Sequence, residues 1–268
     1  MSLRGFFRGR AVAHSGSLAS IVAGRPCLAD RSFVPDHHHE STNMDSSILS
    51  PQITNLLDRL YTDAAQQHRA GPPPSAAARP EPQPLSERER FAAMKHAYMA
   101  VNRPFGNLLY ALVGGMRART VVEFGTSFGL STIFLAAGLR DNGAGKVITT
   151  EFEASKAERA RANLAEAGLD GYVDIRVGDA LETLKTDPPK DIDLVFLDGA
   201  KSMYFDVLRL LEPALRPGAL VASDNTDHDG MEHFLAYLRD PRNGYLSSPL
   251  LTARGPRGAG HDVSVRVR

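Results

Sequence analysis

The chain has no tryptophan, and cysteine occurs once, at Cys27. A lone cysteine excludes an internal disulfide and any cysteine-based zinc site within one chain. It fits a reducing compartment, so the expected location is cytoplasmic, with organellar targeting left open by the N-terminal segment. Excess charge of either sign is also absent, since 31 basic side chains balance 31 acidic ones over 268 residues. Zero net charge leaves no electrostatic footprint for nucleic acid or an anionic membrane surface. The longest uncharged apolar stretch, around Ser127 to Leu139, is too short and too broken to span a bilayer. No Gly-Lys-Ser/Thr signature occurs, which removes a P-loop. What is present is an ordinary globular composition, 43% hydrophobic, long enough for one α/β domain plus extensions.

Composition divides the chain into three segments. In residues 1–43, Arg4, Arg8, Arg10 and Arg25 precede the first acid, Asp30, with Ser, Ala and Gly between them. Transit peptides share that composition, but the plainer reading is a disordered extension ahead of a start at Met44. The triplet His37, His38 and His39 reads as solvated, with no catalytic role. Residues 44–118 read as helices around a Pro/Ala-rich linker, forming a lid or cap. Ser50-Pro51 opens the first helix, which carries Ile53, Leu56, Leu57 and Leu60 on one face. The linker runs from Gly71 to Pro80. Ser86 with Glu89 makes a capping box for a helix through Phe91, Met94 and Tyr98, and another helix is expected from Pro104 to about Arg117.

From residue 119 to 268 the pattern alternates strand and helix. Strands are expected at Thr120–Phe124, Lys146–Glu151, Val173–Val177, Leu194–Leu197 and Ala219–Ala222, with weaker candidates at Leu246–Thr252 and Val263–Val267. Such alternation predicts a doubly wound, mostly parallel α/β sheet with right-handed crossovers. In open α/β sheets ligands bind beyond the carboxyl ends of the strands. Several chemically distinctive residues fall at that edge. Asp198 follows the fourth strand and Asp224-Asn225 the fifth, with Lys201 between them, which suits a small hard-metal site with a base beside it. After the first strand, Glu123-Phe-Gly125-Thr126-Ser-Phe-Gly129 is a glycine-punctuated turn that lacks the third glycine of the dinucleotide fingerprint. An acid before that turn repels phosphate and suits a ligand with an amine and a carboxylate. Glu123 is placed to face the ammonium, and Ser131 and the helix-start N–H groups to receive the carboxylate. Glu151, ending the second strand, is placed to accept from ribose hydroxyls. Asp179 either contacts an adenine amino group or caps its helix.

The order Glu123-x-Gly125-x-x-x-Gly129, Glu151, Gly178-Asp179-Ala180, Asp198-x-x-Lys201-x-x-Tyr204, Pro217-Gly218 and Asp224-Asn225 resembles the class I S-adenosylmethionine-dependent methyltransferases. It is most similar to the metal-dependent O-methyltransferases of the catechol and caffeoyl-CoA type, over roughly residues 104–230. The resemblance implies a Rossmann-like methyltransferase fold with S-adenosylmethionine as methyl donor. It also implies Mg²⁺ held by Asp198, Asp224 and Asn225, with Lys201 as general base. The partner it implies is a small-molecule acceptor with vicinal oxygens, catechol-like, phenolic or polyketide; a homodimer stays open. The sequence departs from the family after Asn225, where Thr226-Asp227-His228-Asp229 stands in place of the apolar residue, often tryptophan, of relatives. Alternatives are a metal-independent methyltransferase of the same fold, an NAD(P)-dependent dehydrogenase, and a non-catalytic module that keeps only the cofactor site. Asp227 and Asp229 read as helix-N-terminal acids, with His228 a surface residue at the helix start.

Overall fold

The computed structural model describes residues 46–70, 89, 92–252 and 259–268. The extension 1–43 with its histidine triplet, the 71–80 linker, Ser86 and Phe91 lie outside the described residues. Helix α1 (Pro51–Ala70) and helix α2 (Arg103–Gly115) precede the sheet. Then come β1 (Thr120–Phe124), α3 (Leu130–Asp141), β2 (Lys146–Glu151), α4 (Ala154–Glu166), β3 (Val173–Val177), α5 (Ala180–Thr186) and β4 (Ile192–Leu197). The chain continues through α6 (Tyr204–Leu211), β5 (Leu215–Asp224), α7 (Glu232–Arg239), β6 (Tyr245–Thr252) and β7 (Ala259–Arg266).

The seven strands lie in the order β3-β2-β1-β4-β5-β7-β6. The first five pair in parallel, and β7 pairs antiparallel to both β5 and β6. The two weak strand candidates of the tail thus form a hairpin whose second arm inserts against β5. Successive strand side chains point to opposite faces, so each strand feeds two cores. Val121, Val147, Leu194, Phe196 and Ala222 pack under α1, α2, α3 and α4. Val122, Ile148, Val195, Leu197 and Val221 pack under α5, α6 and α7. Among the described residues no helix is long and apolar enough to cross a membrane.

Local chemistry explains where elements begin and end. Asn102 caps α2 by accepting from the Phe105 N–H at 2.9 Å, with Pro104 in the first turn. Helix α4 ends at Gly168, φ +66°, where the Leu169 N–H reaches the Leu164 carbonyl and the Gly168 N–H reaches Ala165. Helix α3 is buried almost all round, because it is sandwiched between α2 and the sheet. That explains the uncharged run the sequence shows there.

Two expectations need correction. The helix expected through Met94 and Tyr98 stops early: residues 92 and 93 are helical, Met94 lies in a turn, and Tyr98 is outside any helix. The cause is Gln67 of α1, whose side chain accepts from the Tyr98 N–H and donates to the His96 carbonyl, both at 2.7 Å. Those contacts satisfy backbone groups that a helix would otherwise pair. Likewise Asp227, His228 and Asp229 are not in the first turn of α7. They form turns ahead of it, with the Thr226 N–H held by the Gly260 carbonyl at 2.9 Å and the His228 N–H by that of Asn225 at 3.3 Å.

Candidate functional site

The carboxyl ends of β1 to β5 share one edge of the sheet, and a cavity of about 270 Å³ opens there. Gly125, Ser127, Glu151, Lys156, Asp179 and Asp198 contribute to its lining. Gly125 has φ +105°, and a Cβ on it would stand 2.6 Å from the Asp198 carbonyl oxygen, so the β1 turn passes the end of β4 at a distance only glycine permits. The Asp198 N–H donates to the Phe124 carbonyl at 2.9 Å and locks the two strand ends together.

Glu151 is held facing the cavity by two backbone N–H groups, Ser127 to Oε2 at 2.7 Å and Glu153 to Oε1 at 2.9 Å. Burial pushes its carboxyl pKa up, and those N–H groups oppose the rise. Asp179 caps α5, accepting from the Leu181 N–H at 2.8 Å, and lines the cavity as well. The two readings of Asp179 therefore do not compete in space.

Glu123 and Ser131 are arranged otherwise than expected. Glu123 is fully buried behind the turn and accepts from Ser131 Oγ and Thr132 Oγ1 at 2.6 Å and from Thr149 Oγ1 at 2.7 Å. Acid and hydroxyl face each other rather than the cavity. Burial raises the Glu123 pKa, and the three hydroxyls act against that. Thr126 is buried too, sharing a 2.6 Å contact with Thr149 Oγ1, and Gly129 packs α3 against Ala160 of α4. These residues shape the turn from behind. Three hydroxyls that each donate to one buried carboxylate form stronger hydrogen bonds there than at the surface, which accounts for the inward choice.

Asp198, in the cavity lining, belongs to an acidic cluster at the ends of β4 and β5. Lys201 Nζ lies 3.4 Å from Asp198 Oδ1 and donates to the Gly199 carbonyl at 3.0 Å. The Asn225 amide donates to the same Asp198 oxygen at 3.1 Å, from a residue in the left-handed region at φ +58°. Asn is among the few residues that accept that conformation. Burial lifts the Asp198 pKa well above its ordinary value; the negative charge of Asp224 adds to the rise and Lys201 opposes it. Tyr204 is fully buried and donates to the Asp224 carbonyl at 3.1 Å. Burial, then Asp198 and Asp224, keep it a neutral phenol. Among the described residues no three His, Cys, Asp or Glu side chains cluster; the group here is two acids and an amide.

His261, on β7, is a contributor that sequence reasoning missed. Its ring is buried and stacks on Phe105 of α2 at 3.9 Å and 7°. Nδ1 lies 2.7 Å from Asp224 Oδ1, and Nε2 lies 3.3 Å from the Asn102 amide nitrogen. Because the Asn102 oxygen already accepts from Phe105, its NH₂ group is the part that faces His261. Nε2 then accepts and the proton sits on Nδ1, which lies against Asp224 in a close polar contact rather than an aligned hydrogen bond. No motif marks this residue, since the link depends on β7 pairing Asp224 opposite His261.

Residues 122–226 match the model of a methyltransferase domain. The catechol O-methyltransferase of Mycobacterium tuberculosis is 39% identical over 49% of this chain and 59% of its own length, so the chain spans less than two thirds of that relative. Catechol O-methyltransferase B of Danio rerio is 30% identical over 71% of this chain and 74% of its own length. The chain belongs to the S-adenosylmethionine-dependent O-methyltransferases of the catechol and caffeoyl-CoA type. Among solved structures, the O-methyltransferase TomG of Streptomyces achromogenes, in complex with SAM, superposes with a TM-score of 0.59. It is 30% identical and covers 69% of this chain and 92% of that one. For a member of this family, the seven-strand, mostly parallel sheet and the position of the cavity at its carboxyl edge are the expected frame.

Proposed function

We propose that the chain transfers the methyl group of S-adenosylmethionine to a hydroxyl of a small acceptor with adjacent oxygens, with Mg²⁺ as the resident metal. One observation carries this reading. The carboxyl edge of the sheet carries a clamped acid in the cavity lining, Glu151, and, at the ends of β4 and β5, the cluster of Asp198, Lys201, Asp224 and Asn225, of which Asp198 lines the same cavity.

The donor set fits a hard divalent cation. Asp198, Asp224 and Asn225 offer oxygen ligands of the type Mg²⁺ prefers. Burial lifts the Asp198 pKa and repulsion from Asp224 adds to it, a charge imbalance of the kind a cation relieves. When bound, the metal supplies positive charge that lowers the pKa of an acceptor hydroxyl. The donor supplies an electrophilic methyl group on sulfur. Glu151, oriented by its two N–H partners, accepts from the ribose hydroxyls. Lys201, beside Asp198, takes the hydroxyl proton of the acceptor at Nζ. The remaining work of the protein is orientation, which in methyl transfer supplies much of the rate. The polar Thr226 to Asp229 turns directly follow Asn225, where the resemblance implies an apolar residue, which favours a hydroxyl-rich acceptor over a bare catechol.

The test is a panel of catechols, flavonoids and hydroxylated polyketides with a labelled methyl donor, run with Mg²⁺ and with chelator. Turnover that requires Mg²⁺ and is lost in Asp224→Ala, while S-adenosylhomocysteine still binds, is the expected result. Full activity in chelator removes the metal role. Calorimetric binding of NAD⁺ without S-adenosylhomocysteine overturns the methyltransferase reading altogether.

A further inference from the structure

Lys156, in the first turn of α4, lines the cavity and is 3% exposed. Its ammonium donates to Met99 Sδ at 3.4 Å and lies 5.5 Å from the centroid of the Phe128 ring. Among the described residues it makes no ion pair: Glu151, Glu153 and Asp198 act on it only through space. A thioether is a weak acceptor and a ring face is a partial one. A buried cation with only these neighbours is incompletely satisfied, and burial pushes its pKa down. On the other side of Phe128 in sequence, Ser127 also lines the cavity, at φ +48°, with a buried hydroxyl that has no hydrogen-bond partner among the described residues.

An ammonium hydrogen-bonded to a thioether and a hydroxyl without a partner among the described residues, both from the lining of one cavity, are matched to an anionic oxygen ligand. The methyl donor carries one such group. Adenine and ribose are neutral, and the sulfonium and α-ammonium are cations suited to the acids of the cavity, which leaves the α-carboxylate. Of the groups expected to receive that carboxylate, Ser131 has committed its hydroxyl to Glu123, which leaves the helix-start N–H groups in need of a charged partner for the ligand. We infer that Lys156, with Ser127 beside it, forms the subsite for the carboxylate of the methyl donor, and so selects ligands that carry the amino-acid end. This inference rests on the methyltransferase reading above.

Two ligands separate the possibilities in the full chain. S-adenosylhomocysteine carries adenosine, the thioether and the amino-acid end, whereas 5′-methylthioadenosine lacks the amino-acid end. Calorimetry on Lys156→Met should show S-adenosylhomocysteine weakened about 10- to 100-fold, the range for losing a hydrogen bond to a charged group. Binding of 5′-methylthioadenosine should change by no more than about twofold, within the spread of a neutral contact. Lys156→Arg, which keeps the cation, should recover most of the S-adenosylhomocysteine affinity. Equal weakening of both ligands in Lys156→Met overturns the inference, because Lys156 would then support the shape of the cavity rather than the carboxylate. Unchanged affinity for both overturns it too. A wild-type chain that binds neither compound overturns the methyltransferase reading, and Lys156 falls with it.

Discussion

Replacing His261 with Phe isolates the polar contact from β7 to Asp224. Phenylalanine keeps a flat ring of similar size against Phe105, so the 3.9 Å stack survives. Two polar contacts go. The 2.7 Å contact of Nδ1 with the Asp224 carboxylate, short but without an aligned hydrogen bond, is worth about 1 kcal/mol, and the acceptor for the Asn102 amide is worth about 1 kcal/mol. Together they predict a loss of about 2 kcal/mol, or a urea midpoint lower by about 0.7 M at an m value of about 3 kcal/mol/M. The effect on metal should be larger in proportion. A partner that orients a ligating carboxylate contributes about 10- to 100-fold in metal affinity. Urea unfolding followed by circular dichroism measures the first quantity, and titration with Mn²⁺ by electron paramagnetic resonance measures the second without turnover. A variant that unfolds within about 0.2 M of the wild type, at the same m value, and binds Mn²⁺ equally tightly would refute the coupling of His261 to Asp224. No Mn²⁺ uptake by the wild type would remove the metal site itself.

Glu123→Gln should flatten the acid side of the stability profile. Folding raises the pKa of Glu123 above its ordinary value near 4.5, so the folded state holds the proton more tightly than the unfolded one. The stability this group contributes is full below the unfolded value and is lost as pH climbs through the folded value. Melting temperature should therefore fall less steeply above pH 4.5 in the variant, and identical slopes would refute the assignment. Gly125→Ala should destabilise by about 3 kcal/mol, because the new Cβ meets the Asp198 carbonyl at 2.6 Å in a φ region alanine avoids. A urea midpoint equal to wild type would contradict that. Lys201→Ala should lower turnover by about 100-fold or more, the scale of a general base, with S-adenosylhomocysteine affinity nearly intact; wild-type turnover would remove Lys201 as the base.

The periodic parts of the fold were legible because their signals are local. The five parallel strands begin and end within a few residues of where the apolar runs place them, and Gly168 closes α4 as a glycine at that position should. Gly125, Glu151, Asp179 and Asp198 reach the cavity because a strand end dictates which way the next residue leaves the sheet. What was not legible depended on distant partners. The direction of Glu123 was decided by Thr149, one strand away, and the loss of helix at Tyr98 by Gln67. Lys156 and His261 carry no spacing signal. A helix-start lysine and a strand histidine look solvated until Met99 and Phe128 bury one and Phe105 covers the other.

The insertion of β7 between β5 and β6 has a consequence for synthesis. A chain leaving the ribosome can pair β1 with β2 and β4, and β4 with β5, before any of β7 exists. Asp224 then stands at the rim of a nearly finished sheet with its histidine partner still to be translated. The donor end of the cavity is built entirely from earlier segments. Nascent chains halted ahead of β7 should therefore capture S-adenosylhomocysteine while lacking a firm grip on the metal, so the two halves of the active site mature in a fixed order.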